Sequence, residues 1–268
     1  MSRRRLDEEL VRRGLAVSRV QAQELVEASK VLVAGVIADK PARLVSPADP
    51  LIITDERSRF VSRGGEKLQA AIDAFKIVVT GSRVIDAGAS TGGFTDCALQ
   101  SGATKVVAID VGHGQLHERI RQDERVKVWE RTNVRNISAE EIGGPADLVV
   151  ADLSFISLRA VLSNLADFVQ EQGDLVMLVK PQFEASRKEA DRGRGVIRDP
   201  MVWQRVLHEV AIAVNTAGLA VVGLIQSPLL GGNGNSEFLM HARKVRPSIY
   251  SDNDVDTLIT QIILEVAP

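Results

Sequence analysis

Between residues 83 and 242 the chain alternates short apolar runs with helical stretches. The runs fall at 83–86, 105–110, 126–129, 147–151, 175–179, 219–225 and 238–242, with helical patterns between several of them. A strand period that keeps giving way to a helix period implies βαβ units around a mostly parallel sheet, an α/β fold. No internal repeat or low-complexity tract interrupts it. With 45 % apolar and 25 % charged residues in 268, the chain has enough apolar material to bury a sizeable core without staples. The single cysteine, Cys97, excludes intramolecular disulfides and Cys-cluster zinc sites. No apolar run reaches the roughly 18 residues of a spanning helix. The charges of the first nine residues continue where a signal peptide has its apolar segment. The expectation is a cytoplasmic protein with no membrane partner.

The segment before this alternation reads differently. Leu6, Leu10 and Val11 recur at helical spacing and Gly14 closes the helix. Ser18 and Gln21 form an S-x-x-Q capping-box pattern that opens a second helix to about Ala28. Val31-Leu32-Val33 and Val36-Ile37 flank a turn at Ala34-Gly35, and Pro41, Pro47 and Pro50 interrupt the stretch after them. Asp55-Glu56-Arg57-Ser58-Arg59 is short and polar, and predicts a linker near 55–62. Residues 1–62 hold 11 Lys+Arg against 9 Asp+Glu; the remainder holds 22 against 26. That imbalance is too small to mark a nucleic-acid domain. Placement says more, because Arg3, Arg4, Arg5, Arg12, Arg13 and Arg19 crowd the first twenty residues. They fit either a solvated helical face or a surface for nucleic-acid phosphates.

The strongest local signal is Val84-Ile85-Asp86-Ala87-Gly88-Ala89-Ser90-Thr91-Gly92-Gly93-Phe94-Thr95. An apolar strand runs into a small-residue turn and then a helix, the nucleoside-cofactor position of a doubly wound fold. Its glycines let backbone approach a ligand closely. Ser90 stands at the second glycine of G-x-G-x-x-G, so a phosphate-binding dehydrogenase loop is the poorer match. Asp110 lies 24 residues after Asp86 at the end of the next strand, where a carboxylate accepts hydrogen bonds from ribose hydroxyls; a strand-end cap is the competing reading. Asn133, Asp152 and Lys180 are expected at the ends of later strands, the rim where open parallel sheets bind ligands. Lys180 follows the buried run Leu175-Val176-Met177-Leu178-Val179 and needs a partner there, for which Asp152 is the natural choice. Such a lysine serves either as a structural ion pair or as a base or electrostatic stabiliser. His113 and His117 stand four apart without further ligands, which does not support a metal; His208 and His241 stand alone. The run Arg187-Lys188-Glu189-Ala190-Asp191-Arg192-Gly193-Arg194-Gly195 reads as a Gly-broken basic loop, either solvated or in contact with phosphate.

These motifs resemble known families. Gly88-Ala89-Ser90-Thr91-Gly92-Gly93-Phe94 resembles the cofactor loop of FtsJ-like ribose methyltransferases, and the spacing of Leu6-Asp7, Leu10, Gly14, Ser18-Arg19, Ala22, Leu25, Lys30-Val31, Val33 and Gly35 resembles the S4 RNA-binding fold. With Val61-Ser62-Arg63-Gly64-Gly65-Glu66-Lys67-Leu68, the run from Asp147 to Ser157, and Val179-Lys180-Pro181-Gln182-Phe183-Glu184, nearly the whole chain resembles the TlyA family of ribosomal RNA 2′-O-methyltransferases. The resemblance implies an S4 domain at 1–60 and a Rossmann-like class I methyltransferase domain at 63–268. It implies S-adenosylmethionine as cofactor, ribosomal RNA or ribosomal subunits as partner, and cytidine ribose as the methylated group. It places a catalytic set on Lys67, Asp152, Lys180 and Glu237. Cofactor contacts are expected from Asp86, Gly88, Ser90, Thr91, Gly92, Gly93, Phe94, Asp110, Asn133 and Asp152, and RNA contacts from Arg3, Arg4, Arg5, Arg19 and Lys30. Two positions depart from the pattern: Ser29 stands where S4 folds usually have glycine, and Phe60 stands where tryptophan is expected. The competing functions are a non-catalytic RNA-binding protein that keeps the cofactor pocket, a membrane-lytic haemolysin, a label this family sometimes carries, and a nicotinamide enzyme on fold grounds alone.

Overall fold

The computed structural model describes residues 3–27, 29–54, 59–231, 234–245 and 252–266. The chain forms two compact units, Met1–Gly65 and Glu66–Pro268.

In the first unit, β1 (Arg4–Arg5) is followed by α1 (Leu6–Arg12), α2 (Arg19–Glu27), β2 (Val31–Val33), β3 (Val36–Ile37), β4 (Leu44–Val45) and β5 (Leu51–Ile53). β2 is the centre of an antiparallel sheet in the order β3-β2-β5, and β1 pairs with β4. Leu6, Leu10, Ala22 and Val26 pack the two helices onto Val31 and Val33, all of them buried. Gly14 closes α1 at φ +69°. The expected capping box is half formed. Ser18 Oγ accepts from the Gln21 N–H at 3.2 Å, but the Gln21 side chain reaches back to the N–H of Val17, not of Ser18. Ala28, the expected end of α2, lies outside the described residues. Ser29 takes φ +59°, the left-handed conformation that suits glycine, so its departure from the S4 pattern carries local strain. Asp55 to Ser58 of the expected linker also lie outside the described residues. The end of that stretch is packed: Phe60 and Val61 are 0 % and 2 % exposed, and Ser62 bridges Val36. A Cβ on Gly65 would stand 2.3 Å from the Phe60 ring, so the glycine is required by the aromatic side chain beneath it.

α3 (Gly64–Phe75) begins at the last two residues of the first unit and lies otherwise in the second, which continues β6 (Arg83–Ala87), α4 (Gly93–Gln100), β7 (Lys105–Ile109), α5 (Glu118–Arg121), β8 (Val126–Trp129), β9 (Ala146–Ala151), α6 (Leu162–Phe168), β10 (Val169–Val179), α7 (Pro181–Glu184), α8 (Arg187–Arg192), α9 (Pro200–Thr216), β11 (Ala220–Gln226), β12 (Phe238–Arg243) and α10 (Asp252–Val266). Seven strands form one sheet in the order β11-β12-β10-β9-β6-β7-β8. β12 is antiparallel to both neighbours and the other pairs are parallel. Leu175 to Val179 are all buried, the continuous apolar run of a strand covered on both faces. The chain leaves β6 for β7 and β8 on one side, then returns to β9 on the other. The order reverses between β6 and β9, and ligands of open α/β sheets bind at the carboxyl ends of strands beside such a reversal.

The basic run at 187–195 is a helix over most of its length, not a loop. Ser186 and Glu189 form a full capping box, each side chain bonding the other's backbone N–H, and this starts α8.

Candidate active site

The crevice at the reversal is built by backbone. Gly88 follows β6 at φ +89°, and a Cβ there would stand 2.6 Å from the Asp152 carbonyl oxygen. Only glycine lets the turn after β6 lie against the strand end of β9. The N–H groups of Gly88 and Ala89 both donate to Ile109 O, at 2.8 and 3.0 Å, and tie this turn to the end of β7. Asp110 fixes it further. Its Oδ2 accepts from Ser90 N at 2.8 Å and its Oδ1 from Gly112 N at 2.6 Å. The expected strand-end cap is therefore present, and each carboxylate oxygen keeps a lone pair for a ligand hydroxyl.

These elements enclose a cavity of about 580 Å³, of ordinary size for a small-molecule site. Gly88, Ser90, Asp110, Asn133 and Asp152 line it. Asn133 stands four residues beyond β8, not at a strand end, and its side chain caps the 3-10 turn Val134–Asn136. Thr91, Gly92, Gly93 and Phe94 are not on the wall. Thr91 O accepts from His117 N at 3.2 Å, Gly92 caps α4 at φ +92°, and Gly93 and Phe94 are buried in its first turn. Asp86 is fully buried behind the wall, where Thr95 Oγ1 donates to Oδ2 at 2.6 Å and Oδ1 has no hydrogen-bond partner. Burial pushes its carboxyl up to about 7; the Thr95 bonds oppose this, and the Asp152 and Asp110 charges add to it.

Two ion pairs stand at the strand ends. Lys180 Nζ lies 2.5 Å from Asp152 Oδ1 and donates to Ser154 Oγ at 2.9 Å. Lys67 Nζ, on α3, lies 2.5 Å from Glu237 Oε2. Gln182 Nε2 donates to Glu237 Oε1 at 3.3 Å, which links the second pair to the turn that begins at Lys180. Glu237 fits against bare backbone, since a Cβ on Gly231 would stand 2.0 Å from Oε1.

Several residues of the site escaped sequence reasoning. Glu184, 4 % exposed, accepts from Ser157 Oγ at 2.5 Å, Leu158 N at 2.6 Å and Arg159 Nε at 3.2 Å. It locks the segment after Asp152 to the turn after Lys180. Phe155 lines the cavity while 92 % exposed, and holds φ +63° with its ring 5.2 Å from that of Phe183. An exposed aromatic in a strained conformation had no periodic signature, although Glu184 lay inside the family motif that begins at Val179.

Of the basic residues near the N-terminus, several are committed to buried acids. Asp7 is 0 % exposed and binds Arg5 through both oxygens, at 3.0 and 2.8 Å, and Arg19 at 3.1 Å. Glu9, equally buried, binds Arg12 and Arg13. The Arg5 bonds hold the Asp7 carboxyl well below the usual carboxylate range, and the Arg12 bonds lead in holding Glu9 at about 2. The first helices thus carry a structural salt network, with Arg3 and Arg4 exposed and Lys30 half-buried. His113 and His117 do not share a helix: His113 meets Glu130 at 2.8 Å and His117 caps α5. His208 and His241 pair with Asp256 and Asp174. Among the described residues no cluster of three or more His, Cys, Asp or Glu is placed to hold a metal.

The FtsJ-like methyltransferase family profile matches residues 60–244, and the S4 domain profile matches residues 4–51. A Mycobacterium tuberculosis protein named 16S/23S rRNA (cytidine-2′-O)-methyltransferase TlyA is 48 % identical over 267 residues, 99 % of each chain. Hemolysin A of Brachyspira hyodysenteriae is 37 % identical over 88 % of this chain and 98 % of its own. A solved structure of a Streptococcus thermophilus protein, described as a hemolysin, superposes with a TM-score of 0.76 at 38 % identity and covers 99 % of this chain and 97 % of that one. The chain belongs to the FtsJ-like methyltransferases and, over its full length with an N-terminal S4 domain, to their TlyA family.

Proposed function

We propose that this protein transfers a methyl group from S-adenosylmethionine to the 2′-hydroxyl of a cytidine ribose in ribosomal RNA. The observation that carries this reading is the Lys180–Asp152 pair at the rim of a nucleoside-sized cavity. The chemistry of the donors fits the cofactor. Asp110 offers lone pairs to ribose hydroxyls, Gly88 keeps the turn close against the end of β9 at the cavity wall, and Asp152 lines the same cavity with a carboxylate suited to a cationic ligand. When bound, S-adenosylmethionine supplies a methyl group activated by sulfonium charge.

The chain's own residues do the rest. A ribose hydroxyl is a weak nucleophile at neutral pH and needs in-line placement and a route for its proton. Lys180 Nζ, held on one side by Asp152 and on another by Ser154, is fixed to orient the attacking oxygen. With the cofactor held there, the hydroxyl oxygen would take the methyl group as its bond to sulfur breaks, and the hydroxyl would give up one proton. The Asp152 carboxylate of the pair would take that proton while Lys180 stays an ammonium, so positive charge would move only a short way. Lys67 and Glu237 hold the second charge pair of the site.

The protein names of the relatives support ribosomal RNA as the substrate, and the S4 domain supports RNA docking. A membrane-lytic role is not favoured; among the described residues no helix is long and apolar enough to cross a membrane. A non-catalytic RNA binder has no use for a buried lysine, Lys180, and a buried glutamate, Glu237, each paired with an opposite charge near the strand ends.

Single-turnover transfer of tritiated methyl to ribosomal RNA tests the reading. Lys180→Ala should lose transfer by at least about a hundredfold while cofactor and RNA still bind, because the lysine acts on the reacting hydroxyl and not on ground-state affinity. Lys180→Arg should not rescue it. Near-normal transfer by Lys180→Ala would remove the lysine from the reaction and leave it as a partner of Asp152.

A further inference from the structure

The run at 187–195 carries charge that the proposed reaction does not use. Its helix α8 begins seven residues after Lys180. Arg187, Lys188, Arg192, Arg194 and Arg198 are all exposed, and none makes an ion pair or side-chain hydrogen bond among the described residues. Other arginines of the unit are committed. Arg119, Arg121, Arg125, Arg159, Arg205 and Arg243 of the same unit are each bound to a carboxylate. The carboxylates nearest in sequence are turned to other tasks. Glu189 closes the capping box and binds Arg205, and Asp199 caps α9 through Met201 N at 2.9 Å. Asp191 and Asp199 are the exposed carboxylates among the cations.

The segment is also held rigidly. Asn235, 2 % exposed, accepts from Ile197 N at 3.0 Å and donates to Gly195 O at 2.9 Å. Trp203 Nε1 donates to Ile197 O at 3.0 Å. Arg194 sits at φ +51°, a conformation that a non-glycine residue keeps only where its surroundings enforce it. Asn235 is two residues from Glu237, so this clamp fastens the far end of the basic segment to the loop that carries the partner of Lys67. The near end is joined through α7 to Lys180. Five unpaired cations are therefore anchored at both ends to the proposed reaction site.

We propose that Arg187, Lys188, Arg192, Arg194 and Arg198 form a phosphate-binding rail on the methyltransferase unit that grips the RNA backbone flanking the target nucleotide. The inference rests on the RNA-methylation reading and adds a second RNA contact, separate from the S4 unit. Unpaired guanidinium groups on a fixed backbone suit phosphate contacts, because they need not give up protein partners and lose little freedom on binding. An in-line reaction at one ribose needs the strand on either side held in register, and a rail beside the catalytic lysine does this.

The test uses the full chain with double charge reversal, Arg192→Glu/Arg194→Glu, and a second variant with neutral changes, Arg187→Gln/Lys188→Gln. Methylation of ribosomal RNA is followed as a function of salt, and cofactor affinity is measured by calorimetry. Each variant should keep cofactor affinity within about twofold and keep kcat at saturating RNA. KM for RNA should rise about tenfold or more at moderate salt. The slope of log affinity against log salt should become shallower by about 1 for each phosphate no longer bound. Unchanged KM and slope in both variants, with methylation intact, would overturn the rail and leave the reaction reading standing. Absence of methylation by the unmodified protein would instead overturn the reaction reading.

Discussion

At the scale of single residues, the site separates groups that touch a ligand from groups that shape the wall. Asp110 does both, since its oxygens each hold one backbone N–H and each retain a lone pair. Asp110→Asn should weaken S-adenosylmethionine binding by about 1.5–3 kcal/mol, the worth of a charge-assisted hydrogen bond, and calorimetry checks it. Asp86 gives a pH dependence instead. Its carboxyl titrates near 7 in the folded protein and near 4 in the unfolded chain, so the folded state binds the proton more tightly. Stability is then greatest below the unfolded value and falls as pH rises from about 4 to about 7, by up to about 1.4 kcal/mol per pH unit. Asp86→Asn keeps an acceptor for Thr95 Oγ1 and should flatten that part of a Tm-against-pH profile. Phe155 is the third case. A strained, exposed aromatic ring at the cavity mouth is suited to stack on a base drawn out of its helix. Phe155→Ala should lower methylation of folded RNA more than it lowers cofactor affinity, read by comparing kcat/KM with calorimetry.

At the scale of elements, the chain's local rules and its tertiary needs agree in most places and conflict at a few. Ser29 sits at a left-handed position that costs an ordinary residue about 1–2 kcal/mol. Part of that is offset by the greater freedom glycine has when unfolded. Ser29→Gly should therefore stabilise the S4 unit by a net gain of about 0.5–1 kcal/mol, visible as slower hydrogen exchange in β2. The strands of the sheet were legible in the sequence because buried parallel strands are apolar runs bounded by polar residues. The glycine turn after β6 was legible because a close backbone approach demands small residues at fixed offsets. Other features were not. Phe60 looked like part of a linker because its neighbours are polar, yet its ring is the surface on which Gly65 packs. The helix α8 was hidden by its own charge density, although Ser186 and Glu189 stood at capping-box spacing. The crowded arginines at the N-terminus looked free because sequence shows the cations and not that Asp7 and Glu9 are buried among them. Partnership in three dimensions decides which charges remain available, and that information lies in packing.

At the scale of the whole molecule, the two units divide the labour that an RNA-modifying enzyme needs. Removing residues 1–65 should leave cofactor affinity nearly unchanged, since every residue lining the cavity lies in the second unit. RNA affinity should fall, with a shallower salt dependence, and filter binding at several salt concentrations reads both. The second unit also contains both tryptophans of the chain, in unlike surroundings. Trp203 is 5 % exposed, edge-on to Phe238 with ring centres 5.9 Å apart, in the core. Trp129 is half-buried at the end of β8; its carbonyl accepts from Asp110 N at 3.0 Å, and Lys127 Nζ lies 4.9 Å from its ring centre. The molecule therefore carries two optical probes with separate meanings. Emission from Trp129 should change when a ligand settles on Asp110, while that from Trp203 should stay constant until the core opens. With Trp129→Phe the ligand signal should vanish and the unfolding signal remain, which would let cofactor binding and global stability be followed in one cuvette without any attached label.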